Sequence, residues 1–300
     1  MINFSIDLGT MGLLAGALTP AAVVAIGFWW DKRGRARTER SPQKEKLLRP
    51  PGHTLSKQLN DTSDALLTKV CVACGACAMA GLLIVSAVKV LVSGASGAWI
   101  IGSFSVAVAV LLLGVYWISR LFKCVKDMRC LRLGLRGEQA VAEALTEVAD
   151  VGFRSFHDFP GGDNWNIDHI VVGPRGVFAV ETKAFTRKQK HGGPPAHKVK
   201  VERDKLVFSW SDNVDAIPQA KRNARDLAIY LTKKSGEKVW VDWLVVLPGY
   251  FIEADKDNAA HVMNARYLIA FLRQQQERIP AAQVRRIVAA VEEKCRDVEF

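Results

Sequence analysis

Asn166-Ile-Asp-His-Ile-Val-Val-Gly-Pro-Arg-Gly-Val-Phe-Ala-Val-Glu-Thr-Lys183 reads as two short strands joined by a Gly-Pro-Arg-Gly turn, with Asp168 on the first arm and Glu181 and Lys183 on the second. A loop of either two or four residues centred on Pro174-Arg175 pairs Gly173 with Gly176 and, counting outward, Asp168 with Glu181. Opposed side chains in an antiparallel pair have Cβ atoms roughly 5 Å apart, and like charges there destabilise the sheet. Two carboxylates in this register therefore call for a counter-charge, and a hard divalent cation suits them. Lys183 lies two residues beyond Glu181 and projects from the same face.

The neighbours of these charges decide between a solvated hairpin face and a built site. Ile170, Val172, Val177 and Ala179 lie between the charges and the turn, and Ile167, Val171, Phe178 and Val180 line the other face. Alternating polar residues also describe an exposed strand. Here, however, both faces are largely apolar, as in a strand pair covered on both sides. Charges at such positions are costly unless they are paired or metal-bound.

The surrounding segment reads as an α/β domain. A helix over about 135–149 carries Leu135, Val141, Leu145 and Val148 as its apolar stripe, with Glu138 in its first turn, a common place for a carboxylate. A strand near 152–158 and a Pro160-Gly-Gly-Asp163 turn precede the hairpin. His157 and His169 read as packing or supporting residues rather than ligands. Arg187–Lys205 is basic and loop-like, either a solvated rim or a phosphate-contacting loop through Arg187, Lys188, Lys190, Lys198 and Lys200. A strand over 205–210, a helix over 217–234, a strand over 238–247 and helices near 265–275 and 281–296 complete the domain.

Asp, then a hairpin, then Glu-x-Lys resembles the core motif of the PD-(D/E)xK nuclease superfamily. The longer run from Gly137-Glu138 through Asn166-Ile-Asp-His-Ile-Val-Val-Gly to Val180-Glu-Thr-Lys183 is similar to its nuclease-related domain family, over roughly residues 134–250. The resemblance implies a restriction-endonuclease-like mixed β-sheet flanked by helices. It implies Asp168, Glu181, Lys183, Glu138 and Gln219 as catalytic residues, with Mg²⁺ (or Mn²⁺) held by Asp168, Glu181 and the Thr182 carbonyl. The substrate it implies is nucleic acid, DNA rather than RNA. Asn223 departs from the Tyr that some relatives carry four residues after the helical Gln. A non-cleaving nucleic-acid sensor and a protein-binding scaffold are the alternatives on the same fold. No P-loop pattern occurs.

The formal charge of +11 does not by itself indicate a nucleic-acid binder. From Gly134 to Phe300 there are 25 Lys and Arg against 23 Asp and Glu, so most of the excess lies in residues 1–133. That half contains charge-free runs of 23, 19 and 30 residues at 8–30, 70–88 and 90–119. A spanning helix needs about 20 apolar residues. The reading is three transmembrane helices, about 10–30, 70–92 and 98–119, with Trp29, Trp30, Trp99, Tyr116 and Trp117 at their ends.

Ten Lys and Arg fall in the 31–69 segment, and the third span exits into Arg120, Lys123, Lys126, Arg129 and Arg132. Positive residues mark the cytoplasmic side. The expected order is transmembrane helix 1 (1–30), a flexible basic cytoplasmic loop (31–69), transmembrane helices 2 and 3 (70–119), a basic linker facing lipid headgroups (120–133) and the nuclease-related domain (134–300), as a multi-pass inner-membrane protein. The positive charges follow the first apolar run, the reverse of a cleaved signal peptide. Cys71, Cys74 and Cys77 align on one side of the second span, as a helix-packing face or, alternatively, a metal-ligand set.

Overall fold

The computed structural model describes residues 45–92, 97–162, 165–186, 197–254 and 261–298. In chain order the elements are β1 (Leu47–Leu48), α1 (His53–Val92), α2 (Gly97–Leu145), a 3-10 turn (Thr146–Val151), β2 (Arg154–Gly162), β3 (Trp165–Gly173), β4 (Gly176–Thr182), β5 (Lys198–Glu202), β6 (Lys205–Phe208), β7 (Asp212–Asn213), α3 (Ala216–Ser235), β8 (Asp242–Val246), β9 (Phe251–Ala254), β10 (Val262–Met263), α4 (Ala265–Gln274), α5 (Ala281–Cys295) and β11 (Arg296–Val298).

The chain divides into two compact units. The described part of the first is Leu59–Arg129; the second joins Pro42–Gln58 to Cys130–Phe300. In the first unit α1 and α2 run through the expected second and third apolar segments without a break. Among the described residues one helical run, Phe104–Val151, is long and apolar enough to cross a membrane by length and composition. Its side chains include exposed Phe104, Leu111, Leu112 and Phe122. The expected first span, residues 93–96 between the expected second and third spans, and the Cys77 side chain lie outside what is described. Cys71 and Cys74 are free thiols.

The second unit is built on a five-stranded mixed sheet ordered β10-β8-β4-β3-β2. The β3–β4 hairpin closes on Pro174-Arg175, pairing Gly173 with Gly176 and His169 with Val180, which is the register expected from sequence. β4 continues parallel to β8, with Glu181 opposite Val245. The crossover between them carries β5, β6, β7 and α3. Parallel strands buried on both faces are apolar throughout, and Leu244 to Leu247 are fully buried.

Helices cover both faces. Ile170, Val172, Val177 and Ala179 pack with Ala224, Leu227 and Leu231 of α3 and with Ile287 and Val291 of α5. Val171, Phe178 and Val180 pack with Val141 and Leu145 of α2 and with Leu268 and Leu272 of α4. Ile167 departs from the expected alternation and joins the α3–α5 side with Phe159.

Several expected boundaries change. Pro160 to Gly162 continue β2 instead of turning, with Trp165 laid against Gly161. Lys198–Glu202, expected as loop, is a strand of a second sheet ordered β7-β6-β5-β9, whose core of Val199, Val201, Leu206 and Phe208 packs on Ala216, Ile217 and Ala220 of α3. The domain does not begin at Gly134. Leu47 pairs with Val298 and Leu48 with Arg296, so part of the segment expected to be a flexible loop is a strand at the edge of the fold.

α4 starts at a side-chain cap, in which the Asn264 carboxamide oxygen accepts from the Tyr267 amide at 2.8 Å. Asn264→Ala is expected to cost about 1 kcal/mol. A thermal melt of the full chain in detergent, followed by tryptophan fluorescence, reads this as a small downward shift; an unchanged midpoint would show that the cap contributes nothing.

Candidate functional site

The site forms where β3 and β4 run out beyond their last paired residues. Asp168 follows His169 outward on β3, and its Oδ2 accepts from the Thr182 amide at 2.7 Å. A side-chain bond thus takes over where the ladder stops. Glu181 and Lys183 are two residues apart and share a face, so Lys183 Nζ meets Glu181 Oε1 at 2.8 Å. Lys183 also donates from its backbone to the Val246 carbonyl at 2.9 Å, which fixes the strand end against β8.

Helix α3 supplies two polar groups one turn apart. Gln219 Oε1 accepts from Lys183 Nζ at 3.1 Å. Asn223, at the next position on the same face, donates from Nδ2 to Glu181 Oε2 at 3.1 Å. Asn223 therefore completes a pair that holds Glu181 and Lys183 from one side. Both Glu181 oxygens are occupied, one by a cation and one by an amide.

Glu138 arrives from α2. A Cβ added to Gly137 would stand 2.6 Å from the Ala184 Cβ, so the glycine lets the helix backbone abut the strand just past Lys183. This accounts physically for the Gly-Glu order: Gly137 provides the close approach and Glu138, next in the chain, enters the acid cluster. Glu138 Oε2, buried, has no hydrogen-bond partner among the described residues, and neither has the Thr182 hydroxyl.

Glu138, Asp168 and Glu181 are all buried. Burial raises the Asp168 carboxyl well above its ordinary value, and Glu181 and Glu138 add to the rise against the opposing Thr182 amide and Lys183. Burial likewise raises Glu181, against Lys183, Asn223 and Arg222. Glu138 is pushed up to about 7 by burial, then by Asp158 and Glu181. Burial works against the Lys183 charge, but Glu181 and then Asp168 outweigh it and hold the ammonium above the usual lysine value. Within this group, three carboxylates face one lysine.

A surplus of buried carboxylate with an unpartnered Glu138 oxygen is the donor chemistry that suits Mg²⁺. Among the described residues no three His, Cys, Asp or Glu side chains are arranged to hold a metal by themselves. The fit is with a two-carboxylate site, Asp168 and Glu181, completed by the Thr182 carbonyl and water, since Mg²⁺ keeps several waters and takes one or two carboxylates.

His157 and His169 form a neighbouring pair with Nδ1 atoms 2.9 Å apart. Burial lowers both, His157 to about 4, and His157 lowers His169 further. They are neutral rings that share one hydrogen bond across β2 and β3. Lys198 and Lys200 stand on β5, paired with Glu253 at 2.6 Å and Glu202 at 2.8 Å. Arg187, Lys188 and Lys190 lie outside the described residues.

Sequence reading missed Asp158. This carboxylate is fully buried, and its charge bears on Glu138. An Asp between His157 and Phe159 in a strand gives no signal of its own, and apart from Asn166 its partners lie about a hundred residues away at Arg49 and Thr54.

Residues 133–248 match the family model described as nuclease-related domain. The matched stretch contains Glu138, Asp168, Glu181, Lys183, Gln219 and Asn223 and ends just after β8; β1, α4, α5 and β11 lie outside it. The mixed sheet and its Asp–hairpin–Glu-x-Lys edge are consistent with the PD-(D/E)xK superfamily. Neither curated proteins nor solved structures give a match.

Proposed function

We propose that this chain is a membrane-anchored, metal-dependent nuclease that hydrolyses phosphodiester bonds of nucleic acid, DNA rather than RNA, on the cytoplasmic face of the inner membrane. One observation carries the reading: Asp168, Glu181 and Lys183 converge at one strand end, with Gln219 on the lysine, Asn223 on Glu181, and Glu138 entering from a helix on the other face. A binding module has no need of a buried carboxylate surplus that costs stability, whereas a metal-dependent active site does. The match to the nuclease-related domain supports the chemistry. The helical run Phe104–Val151, whose charge-free start to residue 119 is followed by Arg120, Lys123, Lys126, Arg129 and Arg132, supports the anchor and its orientation.

Asp168, Glu181 and the Thr182 carbonyl would hold Mg²⁺ or Mn²⁺, which when bound polarises a phosphate and lowers the pKa of a coordinated water. Lys183 stays charged between Glu181 and Gln219, placed to orient the attacking water and to stabilise negative charge that develops on the phosphate. Gln219 fixes the ammonium, and Asn223 fixes the Glu181 carboxylate so that its oxygens keep one orientation. Glu138, protonated or ionised near neutrality, can hold or release a proton at the edge of the same cluster.

Phosphate binding by Lys198 and Lys200 requires exchange of Glu253 and Glu202 for substrate. Exposed pairs of this kind are weak, so the exchange is accessible.

The test uses the purified full chain in detergent with labelled DNA and RNA, with EDTA, Mg²⁺ or Mn²⁺, beside Lys183→Met. Metal-dependent cleavage that the variant lacks is expected. A folded wild type that degrades neither polymer with either metal would sink the nuclease reading, and retained nucleic-acid binding would then favour the sensor.

A further inference from the structure

We propose that Arg49 to Thr54, a segment far outside the matched family stretch, is a positioning strap for the catalytic centre, with Asp158 as its receiving residue. The inference rests on the nuclease reading for its activity readout but not for its metal readout.

The strap begins where β1 adds to β11. The Arg49 amide donates to the Cys295 carbonyl at 3.0 Å. The Arg49 guanidinium then grips Asp297 in a two-pronged pair, Nε to Oδ1 at 2.7 Å and Nη2 to Oδ2 at 2.5 Å, the geometry that gives arginine its strength and direction. Its remaining nitrogen reaches inward, with Nη1 at 3.1 Å from the Asp158 carbonyl and 3.4 Å from Asp158 Oδ2. One side chain therefore links the C-terminal strand to a buried carboxylate beside the site.

Asp158 is arranged to receive these groups. It sits in β2 between His157, paired with His169, and Phe159, paired with Ile167, so the register would place it opposite Asp168. Its φ of +51° is unusual for a residue other than glycine. Backbone strain of this kind persists only where surrounding contacts impose it. The contacts are present: Asp158 Oδ2 accepts from the Thr54 amide at 2.9 Å and the Thr54 hydroxyl at 2.7 Å, and Oδ1 accepts from Asn166 Nδ2 at 2.5 Å. A carboxylate on the first-turn amide of a helix is a favourable cap. Asp158 thus caps α1, the helix that begins at His53.

Between the two anchors lies Gly52, whose backbone stands against the Glu138 carboxyl and opposes the rise in its pKa. A Cβ built on Gly52 would stand 3.6 Å from Glu138 Oε2, the oxygen with no hydrogen-bond partner among the described residues. Gly52 has a φ of +71°, and a Cβ there would come within 2.3 Å of Leu135 Cδ1. A glycine lets the turn take this conformation and approach Leu135 and Glu138 this closely. Arg49 and Thr54 hold the strap at either end of this turn, and Gly52 abuts Glu138. None of them touches the reacting atoms, so Arg49, Gly52, Thr54 and Asp158 are positioning residues.

The test measures cleavage kinetics and, separately, the rise in melting temperature caused by Mg²⁺ without nucleic acid. It compares the full-length wild type with Arg49→Gln, Gly52→Ala, Thr54→Val and Thr54→Ser. Glu138 and Asp158 stand beside the proposed ligand Asp168, and residues that support a metal site from behind typically change metal affinity by about 10–100-fold. Arg49→Gln and Gly52→Ala are expected to lower kcat and raise the half-saturating Mg²⁺ concentration by about tenfold or more, with KM for nucleic acid changing far less. Thr54→Ser restores wild-type values and Thr54→Val falls between. Variants that melt cooperatively and keep both kcat and the Mg²⁺-induced shift overturn the proposal. So does loss of cooperative melting in all of them except Thr54→Ser, which assigns the strap to folding alone. A wild type that responds to Mg²⁺ but cleaves nothing defeats the nuclease reading and leaves the strap to be judged on the Mg²⁺ shift. A wild type with neither response defeats both.

Discussion

Asp168→Asn is expected to abolish metal-dependent cleavage while raising the melting temperature of the metal-free protein. The two effects have one cause. Burial, with Glu181 and Glu138 close by, pushes the Asp168 carboxyl well above its ordinary value, so the ionised form is a net cost to the folded state at neutral pH. Asparagine keeps an oxygen to accept from the Thr182 amide but removes the charge. It also removes a carboxylate proposed to hold the metal. A bound metal contributes several kcal/mol of transition-state stabilisation, so its loss corresponds to about a thousandfold or more in rate. Each kcal/mol gained in the metal-free fold appears as a rise of about 2–4 °C for a domain of this size.

Lys183→Met provides the contrast, with the same loss of activity and the opposite change in stability. Removing one partner of a buried pair leaves the other charge uncompensated, at about 3–5 kcal/mol when both are fully buried. The Lys183 side chain keeps 25% exposure against 3% for Glu181. Solvent screening therefore brings the expected loss down to about 2 kcal/mol. Equal melting shifts for the two variants would show that the cluster is not a strained carboxylate surplus.

What sequence reveals and conceals here follows from distance along the chain. The hairpin is legible because its information is local: a Gly-Pro-Arg-Gly turn fixes register, and period-two spacing puts Glu181 and Lys183 on one face. Helix α3 is legible from its 3.6-residue period, and that period brings Gln219 and Asn223 onto the same edge. Lys198-Val-Lys-Val-Glu202 has a strand's alternation, but its charge content makes it read as a solvated loop, whereas its valines pack on α3. The strap is hidden altogether. Pro50-Pro51-Gly52 reads as loop punctuation, and only folding brings Arg49 to Asp297, Thr54 to Asp158 and Gly52 to Glu138. A domain boundary at Gly134 follows the linear pattern but divides a polar network that the fold keeps whole.

In the absence of metal, wild type is expected to lose about 3 kcal/mol of stability relative to Glu138→Gln as pH rises from about 4.5 to about 7. Glu138 is pushed up to about 7 from an ordinary value of 4.5. In that window the folded state keeps a proton that the unfolded chain has released, so the slope of stability with pH is negative. Each tenfold gain in proton affinity on folding is worth about 1.4 kcal/mol. Asp168 and Glu181 act in the same direction, both being raised. The buried histidines act in the opposite one. His157 falls to about 4 from 6.5, so its contribution is lost as pH drops through that range and is constant above it. The variant comparison isolates the Glu138 contribution, since the histidines, Asp168 and Glu181 are present in both proteins, so wild type should decline relative to the variant up to about pH 7. Mg²⁺ should offset the decline most strongly at high pH, because its ligands bind it deprotonated and a ligand bound only to the folded state stabilises that state. Melting curves in EDTA and in Mg²⁺ across about pH 4.5–8 read both effects. Parallel wild-type and Glu138→Gln profiles in EDTA would show that Glu138 ionises freely and lies outside the coupled cluster.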